Sequence, residues 1–260
     1  MLKKNKQLSD FYNKVYKKGE KRHYTKYIIQ GTPTSETEQI LKQISWKNKK
    51  VLEVGCGTGL FASSAAKKGS HVLGIDFSER AINIAKKTHK IKNLEFQSMN
   101  VKDIEGKFDV IVSIGTLEHM DDPYSILKLF KKHLTSNGQI IITSPNWSNP
   151  RGNILLTLFH LFNSPITLAD LHYFTPLNFQ EWSKKLNMNL KWKTFDHSWA
   201  HGDLLVEDFK RRIPKVLSDS KLPKNKKNLD NFFQWVETTV IKLDNSLPHS
   251  GALGLYIFKN

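Results

Sequence analysis

A single cysteine, Cys56, stands in a chain of 260 residues, so no disulfide can close within it and no zinc site built on several cysteines is available. Acids are scarce as well: 24 Asp and Glu face 40 Lys and Arg, a formal net charge of +16. No apolar run approaches the roughly 20 residues that a membrane-spanning helix needs. Residues 1–6 are basic, no hydrophobic signal core follows them, and export is not expected. Internal repeats, a metal-spaced His/Cys cluster and a nucleophile elbow are absent from the sequence. With 39% hydrophobic residues the chain can bury one substantial core, which points to one domain with embellishments.

The basic excess is clustered. Residues 1–26 hold nine Lys/Arg against two acids, and residues 208–227 hold eight against two. Such a surface concentrates anionic partners, whether nucleic acid, acidic lipid or phosphorylated substrate. No RNA-binding motif accompanies the clusters, and a lysine-rich solvated face is the plainer reading.

What is present is organised around residues 51–59, Val-Leu-Glu-Val-Gly-Cys-Gly-Thr-Gly. Four residues of buried-strand type run into three alternating glycines, and a helical pattern follows at once from Leu60. Without a Cβ, glycine lets the backbone take positive φ and lie against a ligand, with amide N–H groups and a helix N-terminus facing it. A second strand, residues 71–76, ends in Asp76, 17 positions after Gly59. In doubly wound folds an acid at that place accepts hydrogen bonds from ribose hydroxyls.

Glu53-Val54-Gly55-Cys56-Gly57-Thr58-Gly59, Gly74-Ile75-Asp76-Phe77-Ser78 and Phe108-Asp109-Val110-Ile111-Val112-Ser113 with Leu117-Glu118-His119 together resemble the class I S-adenosylmethionine-dependent methyltransferases. Within that family they look closest to the quinone-biosynthesis and small-molecule O-methyltransferase branches, over about residues 45–190. The resemblance implies S-adenosylmethionine as methyl donor, S-adenosylhomocysteine as product and no metal. It assigns Glu53 and the Gly55, Gly57, Gly59 turn to the amino-acid end of the cofactor, Asp76 to the ribose, and Asn100 and Val101 to the adenine. Cys56, Phe77 and Ser113 complete the expected cofactor set. Asn100 stands where the family usually has an acid; its carbonyl oxygen can still accept from an exocyclic amine, and Asp103 is the second candidate.

Two places suggest proton chemistry. His119 follows the fourth strand at its carboxyl end, where ligands bind in open parallel sheets, and an ordinary histidine near pKa 6.5 suits proton abstraction. A loop hydrogen bond or a place at the cofactor border would equally explain it. Asp170-Leu171-His172-Tyr173-Phe174-Thr175-Pro176 resembles the family's His-x-aromatic-Thr-Pro segment, which makes His172 and Tyr173 a second acid/base pair. Pro145-Asn146-Trp147 resembles only superficially the Asn/Asp-Pro-Pro-aromatic box of base amino-methyltransferases, because order and strand are both wrong.

The chain is expected to divide into an N-terminal helical lid at 1–45, a methyltransferase core at 46–199 with an insertion at 152–170, a helical insertion at 200–248 and a final core strand at 249–260. The expected fold is α/β, a Rossmann-like doubly wound sheet of seven strands whose last strand is antiparallel, with a helical cap. Residues 154–162 form an apolar segment that would serve as an acceptor lid, a dimer contact, an interfacial helix on lipid, or core. The expected function is O-methylation of a small metabolite such as a quinone precursor, lipid or sugar. The alternatives are a tRNA or protein methyltransferase using the basic surface and a non-catalytic cofactor-binding assembly module. The expected partner is a small amphiphilic or anionic acceptor, in the cytoplasm or at a membrane touched through 154–162, with nucleic acid not favoured and the oligomeric state unassigned.

Overall fold

The computed structural model describes residues 35–167, 169–243 and 247–260. The aromatic segment Phe11, Tyr12, Val15 and Tyr16, expected to cover the cofactor mouth, lies outside the described residues.

Strands β1 (Lys50–Val54), β2 (His71–Asp76), β3 (Leu94–Ser98), β4 (Phe108–Ile114), β5 (Leu134–Pro145), β6 (Asn189–Phe195) and β7 (Leu253–Lys259) form one sheet in the order β3-β2-β1-β4-β5-β7-β6. The first five are parallel to one another and the closing strand is antiparallel. Central strands bury nearly every residue, as a sheet covered on both faces requires, while the edge strand β3 buries only Phe96. Register places Val54 opposite both Ile75 and Ser113. The carboxyl ends of β1, β2 and β4 are therefore level, and the loops after them leave from one edge.

Local chemistry sets the helix starts. In α1 (Ser35–Leu41), Glu36 accepts from Thr143 Oγ1 at 2.7 Å and ties the helix to β5. Helix α2 (Leu60–Lys67) begins directly after the glycine turn. Ser78 caps α3 (Glu79–Thr88) by accepting from Ala81 N, and Asp122 with Pro123 at the first turn caps α4 (Pro123–Lys132).

Ser136-Asn137-Gly138-Gln139 reads as a turn, yet it lies inside the strand. While β4 advances from Phe108 to Val110, β5 advances from Leu134 to Gln139, so the extra residues loop out of the ladder as an irregularity. Ser136 and Asn137 sit exposed there, which a polar pair tolerates.

Contacts divide the described residues into two units: those within 35–143, 182–191 and 256–260 in the first, and those within 144–181 and 192–255 in the second. The second holds α5 (Pro150–Phe162), the start of α6 (Pro176–Leu186), the short α7 (His197–His201), α8 (Asp203–Asp219) and α9 (Lys226–Thr238). Its core gathers Trp147, Leu155, Ile166, Leu205, Phe209 and Val236. On α5, Leu155 is fully buried and Ile154, Leu156, Leu158 and Phe159 pack on that core, whereas Leu161 and Phe162 at its end are 70% and 50% exposed. Helix α7 has no sequence signature beyond its two histidines. Among the described residues no helix is long and apolar enough to cross a membrane.

Candidate active site

The turn after β1 is built on backbone that side chains would obstruct. Gly55 has φ 75°, and a Cβ there would lie 2.3 Å from Thr116 Oγ1 in the loop after β4. Gly59, the residue before α2, has φ 81°, and its Cβ would lie 2.3 Å from the Phe96 ring. Both positions require glycine for conformation and for space. Gly55 N and Cys56 N both donate to Ile75 O, at 2.9 and 3.0 Å, which locks the turn to β2. Behind it, His89 Nε2 donates to Thr58 O at 3.0 Å; burial lowers the histidine's pKa and so favours the neutral ring. His89 and Phe96 were not legible as site residues, because a histidine at a helix end and a strand aromatic look structural in sequence.

Two carboxylates fasten this turn from within. Glu53, 3% exposed, accepts from Ala62 N at 2.9 Å and so anchors the first turn of α2. Asp76 accepts from Gly57 N at 2.9 Å and from Ser78 N at 2.8 Å. Each carboxylate oxygen has two lone-pair directions, so Asp76 keeps accepting capacity for a ligand hydroxyl. Burial raises the Glu53 carboxyl well above its ordinary value, with Ala62 N opposing and the Asp76 charge adding to the rise. Burial likewise raises Asp76, against its two backbone hydrogen bonds. Cys56 is buried, and burial followed by the Glu53 and Asp76 charges pushes its thiol well up, so it is an inert packing residue.

The neighbouring strand ends complete the recess. Ser113, opposite Val54, is fully buried, and its hydroxyl has no hydrogen-bond partner among the described residues. Met99 N donates to Asp76 O at 3.1 Å, which holds the segment after β3 beside the acid. Asn100 accepts from Lys102 N at 2.9 Å and caps a single 3₁₀ turn, Val101–Asp103. Phe77 is 43% exposed beside Asp76. His119 ends the 3₁₀ turn Leu117–His119 after β4, next to the buried carboxylate of Glu118 and close in sequence to Thr116, which abuts Gly55. The first unit thus brings Glu53, the glycine turn, Asp76 and Ser113 together, with Phe77, Asn100, Val101 and His119 on adjoining segments. A glycine cradle, two buried carboxylates and an unpartnered buried hydroxyl suit a ligand that carries a cationic centre and hydroxyl groups. No group of His, Cys, Asp and Glu among the described residues could hold a metal ion.

His172 and Tyr173 belong to the second unit. The His172 ring stacks on Phe174 at 5.5 Å, and Tyr173 packs edge-on against Trp147 at 4.8 Å and Phe159 at 5.0 Å. Burial raises the Tyr173 hydroxyl above its ordinary value, against a hydrogen bond with Thr167. Asn146 sends both amide protons of Nδ2 to carbonyls, His249 O and Gly251 O, each at 2.7 Å. It fastens the loop before β7, so the Pro145-Asn146-Trp147 segment is scaffold.

A methyltransferase domain is matched over residues 45–233, most of the chain. The chain is 34% identical over 110 residues to a ubiquinone biosynthesis O-methyltransferase of Acinetobacter baylyi, covering 40% of this chain and 46% of the relative. It is 26% identical over 156 residues to the protein of that name in Dechloromonas aromatica, covering 56% and 66%. The chain spans about half the length of the first of these relatives. In fold it is similar to a possible histamine N-methyltransferase of Thermotoga maritima, with TM-score 0.58 at 15% identity over 100% and 99% of the two chains. It is also similar to the magnesium protoporphyrin IX methyltransferase of Synechocystis with S-adenosylhomocysteine bound, with TM-score 0.55 at 16% identity over 70% and 84%. Fold, glycine turn and domain match agree: the chain belongs to the methyltransferase-domain family, the class I S-adenosylmethionine-dependent methyltransferases.

Proposed function

We propose that this chain transfers a methyl group from S-adenosylmethionine to a hydroxyl oxygen of a small metabolite. The observation that carries the reading is the Gly57–Asp76 hydrogen bond, which places the second-strand acid against the glycine turn inside the matched domain. Glu53 and the turn through Gly55, Gly57 and Gly59 hold the amino-acid end of the cofactor, Asp76 the ribose, Asn100 and Val101 the adenine, and Ser113 adds a buried donor. The bound cofactor supplies an already activated methyl group, so the protein's work is positioning and proton handling. His119 or His172 takes the acceptor's proton, and Tyr173, held protonated, orients the acceptor by donating to it.

A hydroxyl acceptor is supported by the likeness to ubiquinone biosynthesis O-methyltransferases. A quinone precursor, lipid or sugar fits this class. The tRNA or protein alternative loses part of its basis, because the 208–227 cluster is partly engaged internally: Arg212 is buried on Asp208, and Lys210 pairs with Glu237 at 2.7 Å. Transfer of labelled methyl from S-adenosylmethionine into cell extract split into lipid, small-molecule, RNA and protein pools tests the reading. Label in the lipid or small-molecule pool that disappears with Asp76→Ala is expected; label confined to RNA or protein, or found nowhere, overturns it.

A further inference from the structure

In the helical unit a single buried acid, Asp208, gathers more than one guanidinium. Asp208, fully buried, receives Arg212 through two hydrogen bonds, Nε to Oδ2 at 2.9 Å and Nη2 to Oδ1 at 2.9 Å. Arg212 Nη1 donates to Ile166 O at 2.9 Å, so that guanidinium is engaged along its whole edge. Asp208 Oδ2 also accepts from Arg151 Nε at 3.1 Å, and the half-exposed Arg211 approaches Oδ1 at 3.6 Å. One buried carboxylate therefore serves two buried guanidinium groups.

Arg151 is the second guanidinium held by Asp208. The residue is only 7% exposed, and its guanidinium lies 5.3 Å over the Trp147 ring. Only Nε is engaged with Asp208; the two Nη groups make no hydrogen bond or ion pair with any described residue. Asp196 is a second acid close enough to act on Arg151; burial raises its carboxyl above its ordinary value, and no hydrogen bond joins the two side chains. Asp196 precedes α7, which packs on α5, and on α7 His197 Nδ1 lies 3.0 Å from His201 Nε2. A planar guanidinium fork resting on an indole has the chemistry that recognises a planar or tetrahedral oxyanion.

We propose that Arg151 anchors an oxyanion subsite in the helical unit, taking a carboxylate or phosphate group of a small-molecule ligand on its two Nη groups. The anion site does not rest on the methyltransferase reading above. Asp208 and Arg212 are positioning residues: they fix Arg151 by its Nε and leave its outer edge for the ligand. Sequence gives little warning, because Arg151 lies at a helix start far from the 208–227 cluster.

The test is calorimetric titration of the full chain with inorganic phosphate and, separately, with benzoate, each against chloride of equal ionic strength. At least one probe should bind saturably, and Arg151→Met should weaken it tenfold or more, while Lys210→Met on the exposed face of α8 leaves it unchanged. Arg151→Lys, which keeps the charge and loses the fork, should weaken it severalfold and serves if the Met variant does not fold. Which probe binds distinguishes a phosphate from a carboxylate ligand. No saturable binding of either probe, or equal binding by the Arg151 variants, overturns the subsite. S-adenosylhomocysteine titrated into the same samples reads the other site independently. A chain that binds phosphate or benzoate but not S-adenosylhomocysteine keeps the subsite and overturns methyl transfer; the converse overturns the subsite alone.

Discussion

The backbone N–H of Gly57 donates to Asp76 Oδ2 at 2.9 Å, so the turn after β1 and the acid at the end of β2 are one structural object. Asp76 Oδ1 meanwhile holds Ser78 N at 2.8 Å, which starts α3. A single carboxylate sets both the cofactor turn and the entry of the next helix.

Gly55→Ala should be among the most damaging small substitutions. At φ 75°, with Thr116 Oγ1 2.3 Å from the new Cβ, it strains the backbone and collides with the loop after β4. A loss of about 1–3 kcal/mol is expected, read as a lower melting temperature in scanning calorimetry. Unchanged stability would show that the turn can move.

Glu53→Gln separates stability from binding. Burial raises the folded-state value of this carboxyl above the unfolded one, so its ionised form costs stability at neutral pH, and the folded chain gains as pH falls toward 4.5. The glutamine variant retains an acceptor for Ala62 N, should melt no lower than the parent at pH 7, and should show a flatter pH dependence above 4.5. Its affinity for S-adenosylmethionine should fall tenfold or more, on the order of one charged hydrogen bond.

In the helical unit the sign is opposite. Burial alone would raise the Asp208 carboxyl, but Arg151 and Arg212 outweigh it and hold the group at about 2 instead of 3.8. Roughly 2 kcal/mol of stability is therefore complete above pH 3.8 and lost as pH falls toward 2. Arg212→Met should cost about 3–5 kcal/mol, because it strips the bidentate partner from a buried charge. Arg151→Met should cost less, since Arg212 still satisfies Asp208. Urea unfolding followed across pH 2–7 checks both.

For a hydroxyl acceptor, His119→Ala and His172→Ala should leave S-adenosylmethionine affinity within a few fold. The variant that removes the base should lower kcat by 100-fold or more. Full turnover in both would remove proton abstraction by histidine from the mechanism.

Much of the first unit was legible because its signals are local. A buried run into alternating glycines, a strand ending in Asp76 and the Phe108–Ile114 run each depend on neighbours in sequence. Where local chemistry was ambiguous the reading failed: Ser136-Asn137-Gly138-Gln139 carries turn residues, yet β5 continues through it because the residues loop out of register with β4. What sequence could not show was convergence over distance. Arg151 meets Asp208 across 57 positions, and Phe96 lies beneath Gly59, through packing that no periodicity announces.

Calorimetric titration of S-adenosylmethionine into the full chain and into Asp76→Ala tests the central claim most directly. The account predicts saturable one-site binding by the parent and an affinity at least tenfold lower in the variant, with the fold retained by circular dichroism. No binding by the parent, or equal affinity in a folded Asp76→Ala chain, would contradict it.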